Sequence, residues 1–249
     1  MTSVQIGDAF GKLLAAALEQ DGVLEIVERD DGFVSASPCA HYFAPFRSWP
    51  ARQRQGMRYA KGRVLDVGCG AGRVTLHLEA RGHEVVAIDA SAGAVEVCSK
   101  RGVKDPRLMR LADVARNSGN LGSFDTILLL GGNFGLLESK RRAPALLRQL
   151  LRVSTPTTRI IAESVDPGQT DDPYHVAYHR RNRDRGRMSG QIRLRIRHRD
   201  YATPWFDYLF VSREEMHELV ADGGWRVERF IPEVGPVYIA VLQPAPPRS

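Results

Sequence analysis

The chain has 249 residues, 43% hydrophobic and 26% charged, and three cysteines. That composition excludes disordered and fibrous classes, and a chain this long buries enough surface to need no disulfide or metal to support its core. Cys39, Cys69 and Cys98 are odd in number and match no metal-ligand spacing, which points to a reducing compartment.

The formal charge is +6, and it is unevenly placed: positions 180–199 hold nine arginines against the single acid Asp184, leaving the remainder at −2. Only five of the 35 basic residues are lysines, a bias that reflects base composition of a genome more than function. The opening MTSVQIGDAF lacks a basic segment followed by an apolar one, and the longest apolar stretch, Thr126 to Leu137, is broken by Gly131, Gly132 and Asn133. Neither a secretory leader nor a membrane span is expected, and the expected location is cytoplasmic.

In chain order, Phe10, Leu13, Leu14, Ala17 and Leu18 recur at helical spacing and predict a helix ending near Gly22. Asp31-Gly32 marks a turn, and a second helix is expected from Pro50 toward Tyr59. Residues 1–60 therefore read as a helical lid segment. From Arg63 short apolar runs alternate with helical periods, with strands expected at Val64–Val67, Val85–Ile88, Leu108–Leu111, Thr126–Leu130, Ile160–Ala162, Trp225–Ile231 and Val237–Leu242. Ser91 suits the N-cap of a helix through Val95 and Cys98, and Ser212-Arg-Glu-Glu215 has capping-box spacing. The expected fold is α/β, a doubly wound and mostly parallel seven-stranded sheet with helices on both faces. Its core covers 61–165 and 212–243, with a short tail at 244–249. The segment 166–211 is too long for a plain loop and is expected to form a β-rich cap. Within it Ile192, Leu194 and Ile196 alternate with Arg193, Arg195 and Arg197, and Trp205 to Val211 is the expected partner strand.

The chemistry concentrates in VLDVGCGAGR, 64–73, a buried strand running into a glycine-rich turn and a helix. A dinucleotide fingerprint places a third glycine where this chain has Arg73, and Asp66 at the strand end repels a pyrophosphate but suits an ammonium or a sulfonium. Asp89 ends the next strand 21 residues after Gly68, at the spacing of a ribose-binding acid, and Asp113 follows the third strand, placed for an adenine amino group.

Together VLDVGCGAGR, VVAIDAS, LADV and FDTILLL resemble the successive motifs of class I S-adenosylmethionine-dependent methyltransferases. The resemblance implies that S-adenosylmethionine is the cofactor. It places Asp66, Gly68, Cys69, Gly70 and Gly72 around the methionine end, Asp89 and Ala90 at the ribose, Asp113 and the Val114 amide at the adenine, and Leu130 beneath the methyl group. By the same likeness Tyr42 and Arg47 close over the cofactor; Phe43 and Phe46, as large aromatics, are expected instead to pack the N-terminal helices on the sheet.

On the acceptor side, Phe134, Tyr174, His175, Tyr178, Trp205 and Tyr208 are expected to line the pocket, and His179 is the choice of general base. His175 and His179 are four apart, but no carboxylate completes a ligand set, so no metal is expected. The residues after the fourth strand, Gly131-Gly132-Asn133-Phe134-Gly135, depart from the Asn/Asp-Pro-Pro-aromatic pattern of enzymes that methylate nucleobase amines. The expected activity is methyl transfer to a small molecule of the secondary-metabolite kind. Two readings compete: an RNA or other polyanion methyltransferase using the arginine-rich strand, and a catalytically silent cofactor-binding protein.

Overall fold

The computed structural model describes residues 4–232 and 235–246. The N-terminal part contains β1 (Gln5–Ile6), α1 (Ala9–Glu19), β2 (Leu24–Arg29), β3 (Val34–Pro38) and α2 (Ala51–Gly56). The alternating core follows with β4 (Val64–Val67), α3 (Arg73–Glu79), β5 (Val85–Asp89), α4 (Ala92–Lys100), β6 (Pro106–Leu108), α5 (Ser118–Leu121), β7 (Phe124–Leu129), α6 (Ala143–Leu151) and β8 (Ser154–Val165). The insertion carries α7 (Pro173–Asp184), β9 (Gln191–His198), β10 (Tyr201–Ala202) and β11 (Phe206–Leu209), and α8 (Arg213–Asp222), β12 (Trp225–Ile231) and β13 (Val237–Pro244) complete the core.

The core sheet has seven strands in the order β12-β13-β8-β7-β4-β5-β6, parallel from β6 to β8 and antiparallel at β13 and β12. Every residue of β4 and β5 is buried, as expected for central parallel strands covered on both sides. Period two divides the side chains: Leu65 and Val67 join α6 and α8 in one cluster, while Val64 joins Trp49, Met57 and α3 in another. Asp66 shares the second face. The Ser212 capping box starts α8, and Trp225 donates its indole N–H to the Leu147 carbonyl at 3.0 Å to seat β12 against α6.

Two expectations about the core shift. The third strand is Pro106–Leu108 rather than Leu108–Leu111, because the chain leaves the sheet at Met109 and turns through a 3-10 helix at Leu111–Asp113. The tail expected at 244–249 begins inside β13, which Pro244 ends; residues 247–249 lie outside the described residues.

The larger correction concerns residues 1–60, which are not a purely helical lid. β2 and β3 form a hairpin across Asp31-Gly32, and β2 pairs antiparallel with β9, placing Ile26 opposite Arg197 and Arg29 opposite Leu194. The second sheet, β1-β10-β9-β2-β3 with β11 on the other edge of β9, is thus built jointly by the N-terminal segment and the insertion. Alternation did not announce β2, because its pattern is inverted. Leu24 is 47% exposed while Glu25 and Arg29 are 9% and 6% exposed. The inward face of β2 is polar since it faces a cavity rather than a packed core.

The arginine row lies on the outer face of this cap sheet. Glu28 pairs with Arg195 at 2.9 Å and Arg197 at 3.3 Å, Asp207 stands 3.7 Å from Arg193, and Arg195 stacks on Trp205. No helix among the described residues is long and apolar enough to cross a membrane.

Candidate active site

The glycine turn after β4 is shaped by backbone that side chains do not tolerate. Gly68, Gly70 and Gly72 have φ of 70°, 57° and 74°, and a Cβ on Gly68 would stand 2.5 Å from the Asn133 amide nitrogen. Asn133 uses that nitrogen to hold the carbonyls of Val67 and Gly68 at 3.0 and 2.8 Å. Gly72 plays another part: the space its side chain would fill is taken by Val103 and Cys98, so it sets the packing of α3 against α4.

Two carboxylates flank the turn. Asp66 is 3% exposed and accepts a 2.7 Å hydrogen bond from the Thr75 hydroxyl; burial pushes its carboxyl up to about 6. Asp89 accepts from the amides of Gly70 at 3.0 Å and Ser91 at 2.9 Å, and burial raises it as well. Each of these acids keeps acceptor capacity beyond the bonds it makes in the protein. Asp8, the N-cap of α1, reaches across to the Ser91 hydroxyl and the Gly93 amide. Gly11 and Gly93 allow α1 and α4 to meet backbone to backbone at that point.

The cavity above this floor has a volume of about 1490 Å³. Ligand pockets commonly hold roughly 300–1,000 Å³, so there is room for a cofactor and a second molecule. Its roof is the inner face of the cap sheet: Glu25, Val27 and Arg29 from β2, and Ile192, Leu194 and Ile196 from β9. Tyr208 completes it from β11, its hydroxyl 3.4 Å from the Asn133 oxygen and its ring against Gly135, where a Cβ would lie 2.1 Å away. Burial raises the Tyr208 hydroxyl above its ordinary range.

Most residues named from the sequence meet here. Asp66, Gly68, Cys69, Gly70, Asp89, Ala90 and Leu130 line the floor, and Tyr42, His175, His179, Trp205 and Tyr208 line the walls. Tyr42 leans on the turn, 3.4 Å from the position of a Gly70 Cβ, and donates its hydroxyl to Glu25 at 2.9 Å. His179 stands beside His175, Arg29 and Arg183; burial first, then those charges, lowers its pKa.

Other named residues stand outside the cavity wall. Arg47 is exposed on a 3-10 turn. Val114 is fully buried in the core, and Asp113 pairs with Arg116 at 2.7 Å because the 3-10 turn carries its side chain outward, leaving Leu111 and Ala112 on the wall. Phe134 is fully buried in the core and Tyr174 is 71% exposed. Tyr178 is buried under the cap, where its hydroxyl donates to Asp30 at 2.7 Å and accepts the Arg193 amide. Among the described residues no three or more His, Cys, Asp or Glu gather as a metal site.

Sequence reasoning passed over Asn133, Arg73, Glu25 and Glu163. Glu163 is 2% exposed at the end of β8 and accepts from Arg52, Gln53 and the Gly131 amide, each at 2.7 Å, tying α2 to the loop after β7. An acid inside the apolar run IIAESV was a usable signal, since buried charges are retained only with partners. Arg73 stacks on Trp49 and donates to Gln53 at 2.9 Å.

Residues 64–157 match the family described as "Methyltransferase domain". A crystal structure of a SAM-dependent methyltransferase from Bacteroides fragilis, in complex with S-adenosyl-L-homocysteine, superposes with a TM-score of 0.80 at 27% identity, covering 98% of this chain and 99% of that one. The cypemycin N-terminal methyltransferase of Streptomyces sp is 30% identical over 112 residues, 43% of each chain. The 2-heptyl-1-hydroxyquinolin-4(1H)-one methyltransferase of Mycobacteroides abscessus is 35% identical over 71 residues, 27% of this chain and 31% of that protein. The chain thus spans less than half the length of these two curated relatives. With the motif order, the sheet order, the glycine turn and a full-length structural counterpart in agreement, residues 64–157 carry a methyltransferase domain and the chain as a whole has the fold of S-adenosylmethionine-dependent methyltransferases.

Proposed function

We propose that this protein transfers a methyl group from S-adenosylmethionine to a small organic acceptor held under the cap sheet. The observation that carries the reading is one continuous cavity with a glycine turn and two buried acids on its floor, and a roof on which apolar and aromatic side chains of β9 and β11 stand beside Glu25 and Arg29 of β2. The residues present fit the cofactor. Gly68 and Gly70 line the cavity with backbone alone and let it approach a ligand, Asp66 suits a cationic methionine end, Asp89 keeps lone pairs for ribose hydroxyls, and Leu111 and Ala112 offer an apolar wall for the adenine. Bound S-adenosylmethionine supplies an electrophilic methyl group on a sulfonium. The protein's share is then orientation and exclusion of water, supplied by the roof and by Tyr42, which lies between the glycine turn and the cap.

His179 lines the cavity and, with its pKa lowered, is neutral at physiological pH and free to accept a proton, which is the role we assign to it. The outward arginine row is offset by Glu28 and Asp207, which favours a small acceptor over a polyanion. Calorimetry with S-adenosylhomocysteine tests the cofactor site. Labelled-methyl incorporation into metabolite extracts and into total RNA, run side by side, tests the acceptor class. Incorporation into RNA alone overturns the small-molecule assignment, and binding without any incorporation indicates a silent protein.

A further inference from the structure

The inner face of β2 carries two charged side chains, and they are treated differently. Arg29 is paired with Asp31 through two 2.8 Å contacts and lies over the Tyr178 ring at 4.1 Å. Glu25 is 9% exposed, lines the cavity, and among the described residues forms no ion pair. Its Oε1 accepts the Tyr42 hydroxyl at 2.9 Å, and its Oε2 has the Ser37 hydroxyl at 3.5 Å. A carboxylate whose hydrogen-bond partners are neutral hydroxyls keeps acceptor capacity, directed at the cavity, that a cation can complete.

The position fits that purpose. Tyr42 bridges from the glycine turn to Glu25, so the carboxylate is one aromatic ring away from the floor where the methionine end of the cofactor is proposed to lie. Val27 and Leu194 line the same cavity on the roof and offer apolar surface for a carbon skeleton. Among the described residues no other acid on the inward face of the cap strands is left without a countercharge, since Glu28 faces outward to Arg195 and Arg197 and Asp207 stands within 4 Å of Arg187 and Arg193.

We infer that Glu25 is the acceptor-recognition group of this enzyme and that the acceptor is an organic amine, bound as its ammonium against the free lone pairs of the Glu25 carboxylate. The inference rests on the methyl-transfer reading above. It assigns substrate class to a residue outside the cofactor motifs, on the strand that the N-terminal segment contributes to the cap.

The test is calorimetry on protein saturated with S-adenosylhomocysteine, titrated with matched aryl-alkyl sets: phenethylamine, phenethyl alcohol and phenylacetate, followed by longer and shorter homologues. The amines are expected to bind about tenfold or more tightly than the alcohols and acids, and Glu25→Gln to erase that preference while Glu25→Asp retains part of it. The affinity of Glu25→Gln for S-adenosylhomocysteine and its melting temperature are expected to match the wild type. Equal binding of alcohol and amine, amine binding untouched by Glu25→Gln, or no amine binding at all overturns the inference. A matching loss of S-adenosylhomocysteine affinity in Glu25→Gln also overturns it, since Glu25 would then serve the cofactor's own ammonium. Failure of the wild type to bind S-adenosylhomocysteine defeats the methyl-transfer reading itself.

Discussion

Asp66 illustrates how a single buried acid links stability to ligand charge. Its carboxyl is raised from the ordinary 3.8 to about 6, chiefly by burial. A raised carboxyl favours the protonated form in the folded state. Its contribution to stability is therefore fully present below the unfolded value and is lost as pH rises through the folded one, an order-of-magnitude cost of about 3 kcal/mol above that range. A cationic ligand reverses the preference, because it stabilises the ionised form. We expect S-adenosylmethionine affinity, measured by calorimetry, to rise from roughly pH 5 to pH 7 as Asp66 ionises, and Asp66→Asn to flatten that rise. An unchanged slope in the variant assigns the titration elsewhere. Gly68 makes the steric counterpart. Gly68→Ala places a methyl against Asn133 at a φ of 70°, and is expected to cost about 1–3 kcal/mol by thermal unfolding and to weaken S-adenosylhomocysteine binding.

At the scale of elements, β9 shows what a charge run in a strand means. Read alone, Arg193, Arg195 and Arg197 admit a solvated face, an anion site or an RNA groove. The pairing of β9 with β2 and β11 brings Glu28 and Asp207 beneath them. Replacing the three arginines together by glutamine is expected to lower stability by roughly 1 kcal/mol, the scale of partly exposed ion pairs. Filter binding should show no loss of RNA affinity on that replacement, whereas a loss that is greatest at low salt and shrinks as ionic strength rises would restore the nucleic-acid reading. The same pairing explains why β2 escaped detection. Strand signals depend on an apolar inner face, and β2 puts Glu25 and Arg29 inward and Leu24 outward because its inner face roofs a cavity.

Across the whole molecule, the cap is closed by chain segments far apart in sequence, with Ile26 paired to Arg197. A sheet made this way has no stable half: β9 keeps an unpaired edge without β2. Amides of β2 and β9 are therefore expected to exchange with solvent in one opening event, and saturating S-adenosylhomocysteine to slow both by a common factor; independent exchange of the two strands would show that the cap is not one unit. The parallel core, the glycine turn after Val67 and the acids at Asp66 and Asp89 were set by the sequence alone, because each rests on local chemistry: continuous apolar runs, glycines at positive φ, a carboxylate at a strand end. What joins them was decided only in three dimensions. The 3-10 turn that carries Asp113 away from the cavity, the burial of Tyr178 under the cap, the tie of Glu163 to α2 and the partnership of β2 with β9 all depend on contacts between distant segments. Residue type and spacing encode the local conformation of each segment, but which distant edge completes a sheet, and which acid is left without a countercharge, follow from the packing of the entire chain.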